Sequence, residues 1–241
     1  MHRHWQQQPL HVRDARVVLL VTAHPDDECM FFGPVIAGLL SQGCDLHLLC
    51  LSAGGWLQGQ ARTRKRELVS ACDRLGINSS QVTVVQHTKM PDDPYCLWRK
   101  NLVAQLILRY VETLNVDTVI SFDEYGVSGH INHTAVARAL QSLYSANRLP
   151  VGTQVLVLES VNVLRKYSGL LDVWLSRVGS NYCYISSWSQ VRRTQSAMSE
   201  HWSQMVWFRV LYVLFSRYLI VNTLKRIAME RHHYRYTKKF L

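Results

Sequence analysis

Val17-Val18-Leu19-Leu20-Val21-Thr22-Ala23-His24-Pro25-Asp26-Asp27-Glu28 is the stretch whose reading decides the fold of this chain. Its apolar, β-branched first half reads as a strand buried on both faces, as in parallel sheets, where active groups gather just past the carboxyl ends. It stops abruptly at one imidazole and three carboxylates. Pro25 holds His24 extended. Asp26, Asp27 and Glu28 fall near the start of a helix expected over 30–42, where the helix dipole favours negative charge. Proline followed by acids is also an ordinary helix start, so this stretch alone leaves both a structural and a functional reading open.

Outward from it the chain alternates. Strand-like runs lie at Val17–Ala23, Asp45–Leu51, Gln81–Gln86, Asp117–Phe122, Gln154–Ser160 and Asn181–Ser186. Helix-like stretches at about 30–42, 62–75, 99–114 and 132–146 separate them, closed by breakers such as Gly43, Gly76 and Pro150. Strands alternating with helices of this length predict βαβ units with right-handed crossovers. The expected fold class is α/β, a Rossmann-like, mostly parallel sheet flanked by helices. No linker splits the chain, so residues 16–203 are read as one domain. Residues 1–15 are expected to be a flexible polar segment, 204–224 an apolar helix, and 225–241 a basic tail.

At 241 residues and 48% hydrophobic, the chain can bury a sizeable core. Its six cysteines form no C-x-x-C pair or framework spacing, which predicts reduced, buried thiols and a cytosolic setting. The formal charge is +10, and a net +5 of it lies in 225–241. That charge is the only feature that suggests nucleic acid. No recognition motif accompanies it and it sits in a tail rather than among stacking aromatics, so no nucleic-acid partner is expected.

A second polar cluster follows the strand ending at Phe122: Asp123-Glu124-Tyr125-Gly126-Val127-Ser128-Gly129-His130-Ile131-Asn132-His133. His130 and His133 are three apart, so on a turn entering a helix they face the same side. Together with the H-x-x-D of His24 and Asp27 they offer three imidazoles and several carboxylates. Catalytic zinc generally takes three such protein ligands and keeps one position open. The spacing therefore favours a metal-dependent hydrolase over coincidence.

Ala23-His24-Pro25-Asp26-Asp27-Glu28 with His130-x-x-His133 resembles the signature of the zinc-dependent LmbE-like de-N-acetylases. Further stretches, among them Pro91-Asp92-Asp93-Pro94, Ser160–Leu171 and Trp207–Tyr218, resemble the eukaryotic branch acting on N-acetylglucosaminyl-phosphatidylinositol, and the similarity spans roughly 16–224. The resemblance implies zinc (or another divalent metal) bound by His24, Asp27 and His133, Asp26 as general base, and His130 stabilising the oxyanion or protonating the leaving amine. It also implies a substrate contact from Arg64, whose alternative reading is a solvated helix start paired with Glu67. Asp92 and Asp93 read equally as an ordinary turn between prolines. Asp123 is a candidate to orient a ligating imidazole.

The implied substrate is a glycolipid, removal of whose N-acetyl group is an early step of GPI-anchor biosynthesis. A soluble N-acetylglucosamine conjugate is the alternative. The implied place is the cytosolic face of the endoplasmic reticulum membrane. The branch begins with a hydrophobic anchor, whereas Val17–Ala23 is too short to span, a span needing about 20 residues. Peripheral contact with the membrane surface is therefore expected through Met205–Val221, read either as an interfacial helix or as a core-capping one, with the basic tail behind it. On that helix Arg209, Tyr212 and Ser216 share one stripe. The sequons at Asn78 and Asn132 agree with the cytosolic face, since a glycan on Asn132 would block the proposed site.

Overall fold

The structure is a computed structural model that describes residues 15–55, 59–169, 171–180 and 182–227. Residues 1–14 of the expected N-terminal segment and 228–241 of the expected tail lie outside the described residues. In chain order the elements are β1 (Val17–Thr22), α1 (Asp27–Phe31), α2 (Gly33–Ser41), β2 (Asp45–Cys50), α3 (Gln60–Leu75), β3 (Val82–Val84), α4 (Lys100–Thr113) and β4 (Thr118–Phe122). There follow α5 (Gly126–Gly129), α6 (Ile131–Ser145), β5 (Gln154–Leu158), α7 (Val163–Lys166), α8 (Leu171–Gly179), β6 (Tyr182–Ile185), α9 (Trp188–Glu200), α10 (Trp207–Phe215) and β7 (Val221–Arg226).

The strands form one sheet in the order β3-β2-β1-β4-β5-β7-β6. The first five are parallel, with Leu20 opposite Leu48 on one side and Ile120 on the other, and β7 runs antiparallel to both β5 and β6. The central strands are buried on both faces, as their unbroken apolar runs require: Val18–Val21 and Val119–Phe122 have almost no exposed surface. Local signals set the helix ends. Gly76 stops α3 at φ 96°, and Ser187 with Gln190 forms a capping box on α9.

The one strand the sequence pattern does not reveal is β7. The helix expected over Met205–Val221 ends at Phe215, because Ser216 turns extended and its hydroxyl accepts from Tyr218 N; a 3₁₀ turn (Arg217–Leu219) then leads into β7. The expected basic tail therefore starts inside the sheet, with Lys225 paired to Glu124 and Arg226 donating to the Tyr182 hydroxyl. Arg217 is fully buried with its Nε 2.7 Å from Asp172 Oδ2. Asn222 ties β7 back to the centre, accepting from Val35 N and donating to Phe31 O.

From β1 the chain crosses over to β2, and from β4 it crosses the other way to β5. The crevice between the carboxyl ends of β1 and β4 is thus the topological switch point of the sheet, where open α/β sheets bind their ligands.

Candidate active site

Both polar clusters open into that crevice. After β1 the chain turns through Asp26, held at φ 113°, a left-handed conformation uncommon outside glycine. Glu28 fixes it: one carboxylate oxygen accepts from Asp26 N, and the other meets His201 Nε2 at 2.6 Å. After β4, Asp123 organises the loop. Its carboxylate accepts from Tyr125 N, Gly126 N, Ser160 N and the Ser160 hydroxyl. No imidazole among the described residues touches it. Its effect on the site is indirect, because it sets Gly126, whose carbonyl lies 3.0 Å from His133 Nδ1. Val127 in the same loop sits at φ 60°, a strained position for a β-branched residue of the kind that clusters at functional sites.

His24, Asp27 and His133 converge, all three buried. His24 Nδ1 is 3.9 Å from one Asp27 carboxylate oxygen and His133 Nε2 is 3.1 Å from the other. Each imidazole is oriented from behind, as metal-ligating histidines are. His133 commits Nδ1 to the Gly126 carbonyl and stacks on Phe122 at 4.0 Å. His24 commits Nε2 to Asp92 Oδ1 at 3.1 Å and to the Asn132 amide at 3.0 Å. Turning that amide over would place its otherwise unpartnered oxygen on the same ring nitrogen. The nitrogens left facing Asp27 are His24 Nδ1 and His133 Nε2, and the latter, buried 3.1 Å from the carboxylate, makes no well-aligned hydrogen bond among the described residues. Two buried nitrogens and a carboxylate facing one another fit a divalent cation. His24, His130 and His133 also bring one ring nitrogen each within 4.8 Å of one another.

The electrostatics of the site follow from burial and from the Asp27–His133 contact. Burial pushes His24 down to about 4, so its imidazole is neutral. Burial would raise Asp27, but the charge of His133 prevails and holds it well below the usual carboxylate range. Asp26 is raised to about 6 by burial, against the pull of Arg209, whose Nη1 lies 2.5 Å from Asp26 Oδ2. His130 caps α6, its Nδ1 accepting from Asn132 N at 3.2 Å, which places the ring hydrogen on Nε2. Burial and the neighbouring His133 lower its pKa.

Arg64 is not at a solvated helix start. It is buried, donates to the Pro25 carbonyl and bonds Asp92 and Gln204. Glu67, its expected local partner, instead accepts from Ser203 N and Oγ. A Cβ on Gly54, at φ +62°, would stand 2.3 Å from the Arg64 guanidinium, so only glycine lets this arginine lie flat on the loop after β2. The turn 91–94 is likewise more than a turn. Trp98 Nε1 anchors the Pro91 carbonyl, and Asp92 then bridges His24 and Arg64.

The site opens into a cavity of about 420 Å³, whose lining also includes Lys166, Gln204, Phe208, Arg209 and Tyr212. Sequence reasoning assigned none of these to the site, because they lie more than 30 residues beyond His133 and no local pattern links them to it. The stripe of Arg209, Tyr212 and Ser216 was the available signal. A second cluster, Glu28, Cys29 and His201, is fully engaged internally, and burial keeps the Cys29 thiol protonated, so it reads as structural support.

Sheet order and crevice give the chain the α/β fold shared by the LmbE-like deacetylases. Among solved structures it is similar to N,N'-diacetylchitobiose deacetylase from Pyrococcus horikoshii (TM-score 0.67, 15% identity, covering 98% of this chain and 91% of that one). It is also similar to the zinc-inhibited form of teicoplanin deacetylase Orf2 (TM-score 0.59, 15% identity, 88% and 98%). The chain belongs to the PIG-L family, described as GlcNAc-PI de-N-acetylase, whose model matches residues 19–144. Relatives include the N-acetylglucosaminyl-phosphatidylinositol de-N-acetylase of Bos taurus, 46% identical over 86% of this chain and 81% of the relative. The probable enzyme of that name from Dictyostelium discoideum is 35% identical over 87% and 93%.

Proposed function

We propose that this chain removes the N-acetyl group from N-acetylglucosaminyl-phosphatidylinositol, giving glucosaminyl-phosphatidylinositol and acetate in GPI-anchor biosynthesis, with zinc held by His24, Asp27 and His133. The observation that carries this reading is the convergence of buried His133 Nε2 and His24 Nδ1 on one carboxylate, in a chain of the PIG-L family. When bound there, zinc supplies a polarised acetamide carbonyl and a water acidified to a pKa of about 7.

The remaining steps belong to the chain's own side chains. Asp26 takes the proton of the attacking water; a buried carboxyl raised to about 6 is ionised at neutral pH yet basic enough to accept it. His130 presents Nε2–H to the developing oxyanion, and the proton that Asp26 took from the water passes to the glucosamine nitrogen as the amide C–N bond breaks. Arg64 holds the sugar or the phosphate. Lys166, whose ammonium lies 5.3 Å from the Tyr212 ring centroid, has no carboxylate within ion-pair distance among the described residues and suits the phosphodiester.

We place the reaction at the cytosolic face of the endoplasmic reticulum membrane. Asn132 is buried against His24, so its sequon cannot carry a glycan in the folded site. No helix among the described residues is long and apolar enough to cross a membrane.

The test combines metal analysis with acetate release from N-acetylglucosaminyl-phosphatidylinositol. Zinc should co-purify and support turnover, and Asp27→Ala or His133→Ala should remove both together. Full zinc occupancy in Asp27→Ala would overturn the ligand set, and zinc-loaded protein inert on this glycolipid would overturn the substrate.

A further inference from the structure

Helix α10 shows its apolar side to the outside. Of its nine residues only Tyr212 is buried, while Trp207, Phe208, Val210, Leu211, Leu214 and Phe215 are exposed, Trp207 by 75%. Its single charge, Arg209, points inward to Asp26 and the Gln204 carbonyl, and the Tyr212 hydroxyl donates to the Met30 carbonyl. With Arg217 buried on Asp172, the stripe of Arg209, Tyr212 and Ser216 faces the protein and the outer face carries no charge. The patch continues sideways. Tyr167 packs on Tyr212, which sets α7 with its exposed Leu164 alongside, and Trp188 shares a hollow with Leu214 and Phe215. Contiguous apolar surface of this kind marks an interaction site, and tryptophans at its margins favour a membrane interface.

We propose that the outer face of α10 docks on a lipid bilayer and presents the cavity mouth to it, an inference that rests on the glycolipid reading above. The same helix supplies Phe208, Arg209 and Tyr212 to the cavity lining, so the patch and the cavity are continuous. A bilayer against this face delivers a lipid-borne headgroup directly, whereas a protein seated there would cover the mouth. The contact is apolar, so it survives salt that screens the basic residues further along the chain.

The experiment uses the full chain with phosphatidylcholine vesicles, with and without phosphatidylserine, at low and high salt. Leu211→Glu and Phe215→Glu lie outside the cavity lining. Each should lower vesicle partitioning about tenfold or more, the scale of losing one buried large apolar side chain, and lower turnover of vesicle-borne glycolipid in step. Zinc content, melting temperature and turnover of the soluble, deacylated substrate should not change. Unaltered partitioning of both variants overturns the proposal. So does wild-type binding that vanishes in high salt, or a dimer that the substitutions dissociate. A protein that binds vesicles through this face but hydrolyses neither substrate sustains the docking surface and removes the glycolipid reading instead.

Discussion

Asp26→Asn tests the centre of the mechanism, and its chief structural cost is the lost charge opposite the partly exposed Arg209. The side chain is buried, and its backbone sits at φ 113°. Asparagine is one of the few residues that tolerates a left-handed backbone and is nearly isosteric with aspartate. The fold, the Glu28 contact to residue 26 N and the metal should all persist. What disappears is the ability to take a proton, because an amide is not a base at neutral pH. A positioned general base contributes ~10²–10⁴-fold, so kcat should fall by that factor, equivalent to about 3–5 kcal/mol of barrier. Asp26→Ala should lose as much activity and also destabilise the fold by ~1–2 kcal/mol, since alanine pays the left-handed strain without a polar side chain to offset it. The assay is initial-rate acetate release with metal content and a denaturant melt on each variant. A loss under tenfold in Asp26→Asn refutes the role. Departure of the metal from that variant refutes it differently, by making Asp26 a ligand.

His130→Ala should keep the metal and lower kcat more than it changes KM; loss of zinc in this variant would move His130 into the ligand set alongside His24 and His133. Asp92→Asn should weaken metal affinity by roughly 10–100-fold, as removal of a carboxylate behind a ligating histidine typically does, and metal titration with a chromophoric chelator reads this directly. Arg217→Met strips one of the two arginine partners, the other being Arg165, from fully buried Asp172. The expected cost is about 3–5 kcal/mol, visible as a lower denaturant midpoint at unchanged slope, and an unshifted midpoint would show that Arg165 alone compensates the carboxylate.

The sequence by itself determined the parallel half of the sheet and the two clusters at its strand ends. Those signals are local: an apolar run with one period, a breaker, then a burst of imidazole and carboxylate within a few residues. His24, Asp27, His130 and His133 could be picked out because strand ends and helix starts aim neighbouring side chains in the same direction. Only the tertiary structure decided what surrounds them. Whether Asp92 was a turn residue or the carboxylate behind His24 depended on a contact spanning 68 positions of the sequence. Whether Arg64 was solvated or buried depended on Gln204, 140 residues away. The 205–226 stretch is the clearest case. Its composition reads as one apolar helix with two awkward arginines and a basic end. The fold gives each arginine a distant carboxylate, Asp26 for Arg209 and Asp172 for Arg217, and threads the end between β5 and β6. A buried charge is tolerable only where a partner waits, and a strand is a strand only when neighbours supply its hydrogen bonds. Both conditions are set by chain topology, to which a periodicity read along the sequence has no access.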